Sequence, residues 1–129
     1  MNSAARLVEK VKKFDDISPI LFNLHWLPVT ARIQFKIILL TFKAMHGLAP
    51  QYIIDMVKKY KPKRSGLRSE TSNELDRTSP NLITYGQRSF SFASQSLWNG
   101  LPPHMRHIED IEQFKTVLKT HLFKQSFNL

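Results

Sequence analysis

The 129-residue sequence contains no cysteine. This excludes a disulfide framework, thiolate-bound zinc or iron–sulfur sites and a thiol nucleophile, and it suits a reducing compartment. Glycine is scarce too: Gly47, Gly66, Gly86 and Gly100 stand far apart, so no glycine-rich loop offers consecutive amides to a phosphate. Acidic residues number ten against 19 Lys and Arg, leaving a net charge of +9 and a pI near 10.0. That balance favours polyanionic partners. Long hydrophobic runs are missing as well. The most apolar stretch, Ile33 to Met45, is interrupted by Gln34, Lys36, Thr41 and Lys43 and falls short of the roughly 18 residues of a membrane span. The basic residues Arg6, Lys10, Lys12 and Lys13 are followed by no apolar core of the signal-peptide kind. The expectation is an intracellular protein, nuclear or cytoplasmic, neither secreted nor bound to a membrane.

What is present argues for a fold. Hydrophobic residues make up 42% and aromatics 11%, with nine Phe and two Trp, enough to fill the core of one domain. The expected class is mainly α: a single-domain helical bundle of five to six helices with a long basic loop. Within residues 1–129 it divides into a helical part over 1–60, a loop over 61–81 and a C-terminal part over 82–129. Ala4, Leu7, Val8 and Val11 are spaced for one face of a first helix running to about Phe14. Ser18-Pro19 is a helix start, followed by Ile20, Leu21 and Leu24 as its buried side and stopped near Trp26 by Pro28. A third helix from Val29 to His46, closed by Gly47, is the expected centre of the core, wrapped by the first, second, fourth and last helices. On its wheel Arg32, Lys36 and Lys43 occupy a sector of roughly 40°, and apolar side chains take nearly all the rest.

Pro50 opens a fourth helix carrying Tyr52, Ile53, Met56 and Val57. From Lys61 to Asn81, Pro62, Ser65, Gly66, Ser69, Ser72, Ser79 and Pro80 break every periodicity. Leu82 to Tyr85 and Ser89 to Phe92 allow either a short β-hairpin or a lead into a helix. Ala93 to Trp98 reads as helical, ended by Asn99-Gly100. Asp110 with Gln113 caps a last helix to about Ser126, whose Ile111, Phe114, Leu118 and Leu122 share a face.

No arrangement for catalysis or metal binding emerges. His25, His46, His104, His107 and His121 lack the i, i+4 spacing of a helical metal site and read as ordinary surface or partly buried residues. Asp15-Asp16 read as a dipole partner of the following helix N-terminus or as a solvated turn. No G-x-S-x-G motif occurs. The expectation is a non-enzyme without cofactor, metal or small-molecule ligand. Charge is the functional signal: Lys58, Lys59, Lys61, Lys63, Arg64 and Arg68 lie in eleven consecutive positions with no acid between Asp55 and Glu70. Such a run can follow a phosphate backbone, and a solubilising loop is the plainer alternative. Tyr60 can stack on a base, but a last core contact of the fourth helix is favoured. Trp26 and Trp98, in LHWLP and LWNGLP, read as core anchors rather than stacking platforms.

Several strings follow one another in a recognisable order: Asn2 to Val8, Ile17 to Leu21, Leu24 to Val29, Arg32 to Lys36 and His46 to Tyr52. Leu67 to Ser69, Tyr85 to Phe90, Leu97 to Pro102, Phe114-Lys115 and Leu118 to Phe123 come after them. Across nearly the whole chain this resembles the C-terminal segment of non-LTR (LINE-type, jockey-like) retrotransposon reverse transcriptases. The resemblance implies a parental endonuclease and RNA-directed DNA polymerase, of which this chain is similar to the part after the thumb. The family's Tyr-x-Asp-Asp metal-binding motif has no counterpart, since Asp15-Asp16 follow Lys13-Phe14. The stretches Leu75 to Pro80 and Ser94 to Ser96 depart from the family pattern. The implied function is a non-catalytic nucleic-acid-binding region that holds RNA or DNA phosphates with Lys58, Lys59, Lys61, Lys63, Arg64 and Arg68, helped by Arg32, Lys36 and Lys43. The alternatives are a protein-docking module for a reverse transcriptase core and an expressed transposon remnant without selected function.

Overall fold

A computed structural model describes residues 2–61, 72–77 and 89–129. The fold is mainly α, with seven helices among these residues. They are α1 (Asn2–Val8), α2 (Ser18–Asn23), α3 (Val29–Met45), α4 (Gln51–Met56), α5 (Phe90–Asn99), α6 (Pro103–Arg106) and α7 (Ile111–Phe127). The short α6, begun by Pro103 at its first position, is the helix the sequence reading lacks.

The principal core forms where α3, α5 and α7 meet. Phe42 of α3 stacks on Phe114 of α7 at a centroid distance of 4.3 Å, and Trp98 of α5 lies 5.8 Å from the same ring. Leu27, Ala31, Ile38, Leu75, Leu101, Met105, Leu118 and Leu122 complete the enclosed set. On α7 the expected face holds, with Phe114, Leu118 and Leu122 buried and Ile111 partly so. The Asp110 carboxylate accepts the amide hydrogen of Gln113 at 2.7 Å, capping that helix as its sequence requires. The central position of α3 also holds, but its closest partners are α5 and α7, because the largest buried side chains lie there.

The first two helices build a second, smaller cluster of Ala5, Ile20 and Leu21, with Leu24, Trp26 and Phe127 packed around it. Here α1 ends at Val8 instead of reaching Phe14. Lys10 adopts a left-handed φ of 52°, and the amide of Val11 reaches back to the Arg6 carbonyl at 3.1 Å, closing the helix. Leu7 and Val8 are therefore exposed and Phe14 stands in solvent, so α1 buries Ala5 and not its expected apolar face. Ile33, expected in the core, is 56% exposed on the outer side of α3.

At α2, Ser18 is the first helical residue rather than the cap. Its amide and hydroxyl both donate to the Asp16 carboxylate, at 3.0 and 3.1 Å, and these bonds hold that carboxyl below its ordinary range. Asp16 therefore serves the start of α2.

The hairpin alternative fails on its second arm. Ser89 caps α5 by accepting from the amide of Phe92, and residues from Phe90 onward are helical. Residues 82–88 lie outside the described residues. An antiparallel contact forms elsewhere, between Lys59 and Leu75. The Tyr60 amide donates to Glu74 O at 3.0 Å, and the Asp76 amide to Lys58 O at 2.8 Å.

Candidate nucleic-acid interface

The Lys59–Leu75 bridge determines how the basic run leaves the fold. After α4 the chain is extended, and Lys58, Lys59 and Lys61 are exposed. Leu75 on the opposing arm is only 1% exposed and belongs to the principal core. It is held by Asn99 at the end of α5, whose side-chain amide bonds both main-chain groups of Leu75. Oδ1 accepts from the Leu75 amide at 2.8 Å, and Nδ2 donates to its carbonyl at 3.0 Å. Next to it, the Trp98 indole donates to Asn73 O at 2.8 Å. Asn73 in turn donates to Arg106 O at 3.2 Å, and the Arg106 guanidinium, 6% exposed, lies 3.2 Å from Glu74. This contact is an ion pair rather than an aligned hydrogen bond. Residues 72–77, part of the loop expected over 61–81, are thus docked onto the core through Leu75, Asn73 and Glu74.

Of the expected site residues, Lys58, Lys59 and Lys61 fall on the bridged arm, exposed, and no ion pair among the described residues engages them. Lys63, Arg64 and Arg68 lie outside the described residues. Tyr60 is 39% exposed in the bridged segment beyond α4, so it is not a core contact of that helix. It turns out of the core because the α4 helix ends at Met56 and the chain straightens. Arg32 and Lys36 are exposed on α3, and Lys43 is partly buried near its end.

A second basic surface was only half visible in the sequence. Arg32 and Lys36, one turn apart, share a cavity of about 660 Å³ with Lys119 of α7. Its apolar lining is Trp26, Leu27, Phe35 and Ala4, and His25 lines it too. Among these lining residues there is no carboxylate. Trp26 is therefore not the enclosed anchor expected of it. It is partly buried, packed against the Ala5, Ile20 and Leu21 cluster on one side and open to the cavity on the other. Lys119, four residues from Lys115 on a basic helix face, offered no signal without knowledge that α7 crosses α3.

His25 shapes this lining. It occupies the left-handed position that closes α2, with φ 52°. Its amide donates to Phe22 O at 3.0 Å and that of Trp26 to Leu21 O at 2.9 Å, the double closure usually made with glycine. Its ring stacks on Phe123 at 5.7 Å and 13°. Phe123 also meets Phe22 and Phe127. The other histidines serve locally or stand on the surface. His46 Nδ1 donates to Phe42 O at 2.8 Å and His107 Nδ1 to Pro103 O at 2.7 Å. Among the described residues no three of His, Cys, Asp and Glu are grouped to hold a metal ion, and no helix is long and apolar enough to cross a membrane. No protein-family model, curated protein or solved structure matches this chain.

Proposed function

We propose that this chain is a non-catalytic nucleic-acid-binding region of the kind found at the C-terminus of non-LTR retrotransposon reverse transcriptases, holding RNA or DNA by its phosphates. The observation that carries the reading is the exposed set Lys58, Lys59 and Lys61, engaged by no ion pair among the described residues, on an arm fixed to the core by the Leu75 bridge. Fixing the arm lowers the entropic cost of presenting its charges to a polyanion. Arg32 and Lys36 add a second exposed cationic pair.

The test is the salt dependence of binding, followed by fluorescence anisotropy with a labelled single strand and a labelled duplex. If all six residues of the basic run meet phosphates, log affinity against log salt falls with a slope of roughly −4 for single strands and −5 for duplex. The triple variant Lys58→Gln, Lys59→Gln, Lys61→Gln reduces the slope by about 2 for single strands and about 3 for duplex. An unchanged slope removes the run from the interface. Primer extension by the purified chain would contradict the non-catalytic part of the proposal.

A second reading, docking to a protein such as a reverse transcriptase core, draws on α4. That helix buries no residue, and Tyr52 and Met56, one turn apart, are 64% and 43% exposed. Binding to a polymerase core that persists at salt concentrations abolishing nucleic-acid binding would favour it.

A further inference from the structure

The cavity between α3, α7 and the turn after α2 joins two features that the phosphate-binding reading, which takes Arg32 and Lys36 only as an exposed cationic pair, leaves unconnected. One is the aromatic share of its lining: Trp26, Phe35 and His25, the last with its imidazole stacked on Phe123. The other is its charge, three cations from two helices with no carboxylate among the lining residues. A volume of about 660 Å³ lies in the range of sites for compact organic ligands. A purely apolar ligand would leave Arg32, Lys36 and Lys119 without a partner, and an inorganic anion would leave the aromatic lining unused. A ligand with a planar ring and an anion a few ångströms away satisfies both.

The backbone supports a role for this lining. His25 holds a left-handed conformation that glycine adopts without cost and that other residues adopt at about 1–2 kcal/mol. A non-glycine residue there places an aromatic ring in the cavity lining where glycine would leave none.

We infer that the cavity receives one nucleotide of a single strand, its base against Trp26 and its phosphate between Arg32, Lys36 and Lys119. The inference rests on the nucleic-acid reading above and names the part of the strand that reading leaves undefined. Since the seated base must be unpaired, single strands bind better than a duplex of equal phosphate number.

The experiment compares an oligothymidylate of about ten nucleotides with an abasic strand of the same length, so that phosphates are equal and bases differ. Binding is read by anisotropy and by tryptophan emission. Trp98 is fully enclosed, so quenching by the strand reports Trp26. The full chain prefers the intact strand by about 5- to 150-fold, the worth of one stacked base, and only the intact strand quenches emission. Trp26→Leu, which keeps an apolar side toward Ala5 and Ile20, abolishes the preference. Lys36→Gln with Lys119→Gln weakens both strands.

Equal binding of the two strands overturns the pocket and leaves the phosphate reading intact. Failure of both strands to bind at low salt overturns both readings. A preference that survives in Trp26→Leu places the base elsewhere and overturns the pocket. Should that variant not fold, preference without quenching in the unaltered chain does the same.

Discussion

Trp98 and Trp26 occupy similar sequence contexts, LWNGLP and LHWLP, yet Trp98 is wholly enclosed while Trp26 lines a cavity. The difference comes from what each region receives from distant parts of the chain. Around Trp98, helices α3 and α7 supply Phe42 and Phe114, and residues 73–75 supply Leu75 and a carbonyl for the indole. Around Trp26 the enclosed partners are Ala5, Ile20 and Leu21, one of them a single methyl group. The first region has aromatic volume and a satisfied polar group. The second has too little side-chain volume to close over its tryptophan, and the hollow that remains is open to a ligand.

The largest effect expected from this contrast is at Trp98. Trp98→Ala loses transfer energy, leaves a cavity and strips Asn73 O of its donor, costing about 3–5 kcal/mol in urea unfolding. Asn99→Ala removes both bonds to the Leu75 main chain and costs about 2–3 kcal/mol. In hydrogen exchange the Leu75 amide loses protection in this variant while Phe114 keeps its own.

Trp26→Ala, already partly open to water, costs about 1–2 kcal/mol. A loss equal to that of Trp98→Ala would break the contrast and make the N-terminal cluster an extension of the principal core. The smallest effect belongs to Asp16. Its carboxyl is held below the ordinary range, first by the Ser18 amide and then by the Ser18 hydroxyl, so its contribution is present above the ordinary carboxylate pKa. It is lost as pH falls through the depressed value. Asp16→Asn therefore lowers stability slightly at neutral pH and leaves it unchanged below the depressed value, which flattens the acid side of a thermal-stability profile.

Much of this architecture could be read locally. The 3.6-residue spacing of Phe114, Leu118 and Leu122, the Asp110 cap and the Gly47 closure of α3, where φ is 70°, all rest on neighbouring residues. What could not be read depends on groups far apart in sequence. Lys10 and His25 do the work of glycine in closing α1 and α2, so α1 stops early and Leu7 is left in solvent. Leu75 stands among turn-forming residues with no periodic partner, and its burial follows from Asn99, 24 positions later. Of the candidate site, charge and the Arg32–Lys36 pair were legible. Lys119 and the opening beside Trp26 required knowing that α7 lies across α3.

The way Asn99 holds its partner bears on which substitutions the chain can accept. An amide side chain that pairs with the N–H and C=O of Leu75 contacts atoms every residue type carries, apart from the missing N–H of proline. Trp98 likewise reads a carbonyl and no side chain. Between positions 73 and 77 the demand on residue identity accordingly falls mainly on Leu75, for its volume, then on Asn73, for its left-handed φ of 50° and its bond to Arg106, and on Glu74, for its ion pair with Arg106. Asp76 and Arg77 are free to diverge in every direction but one: proline at 76 would delete the amide that donates to Lys58 O. A saturation library over 73–77 should thus return a permissive profile at 76 and 77 with proline depleted at 73, 75 and 76 and β-branched residues depleted at 73, the signature of a segment retained largely by its main chain.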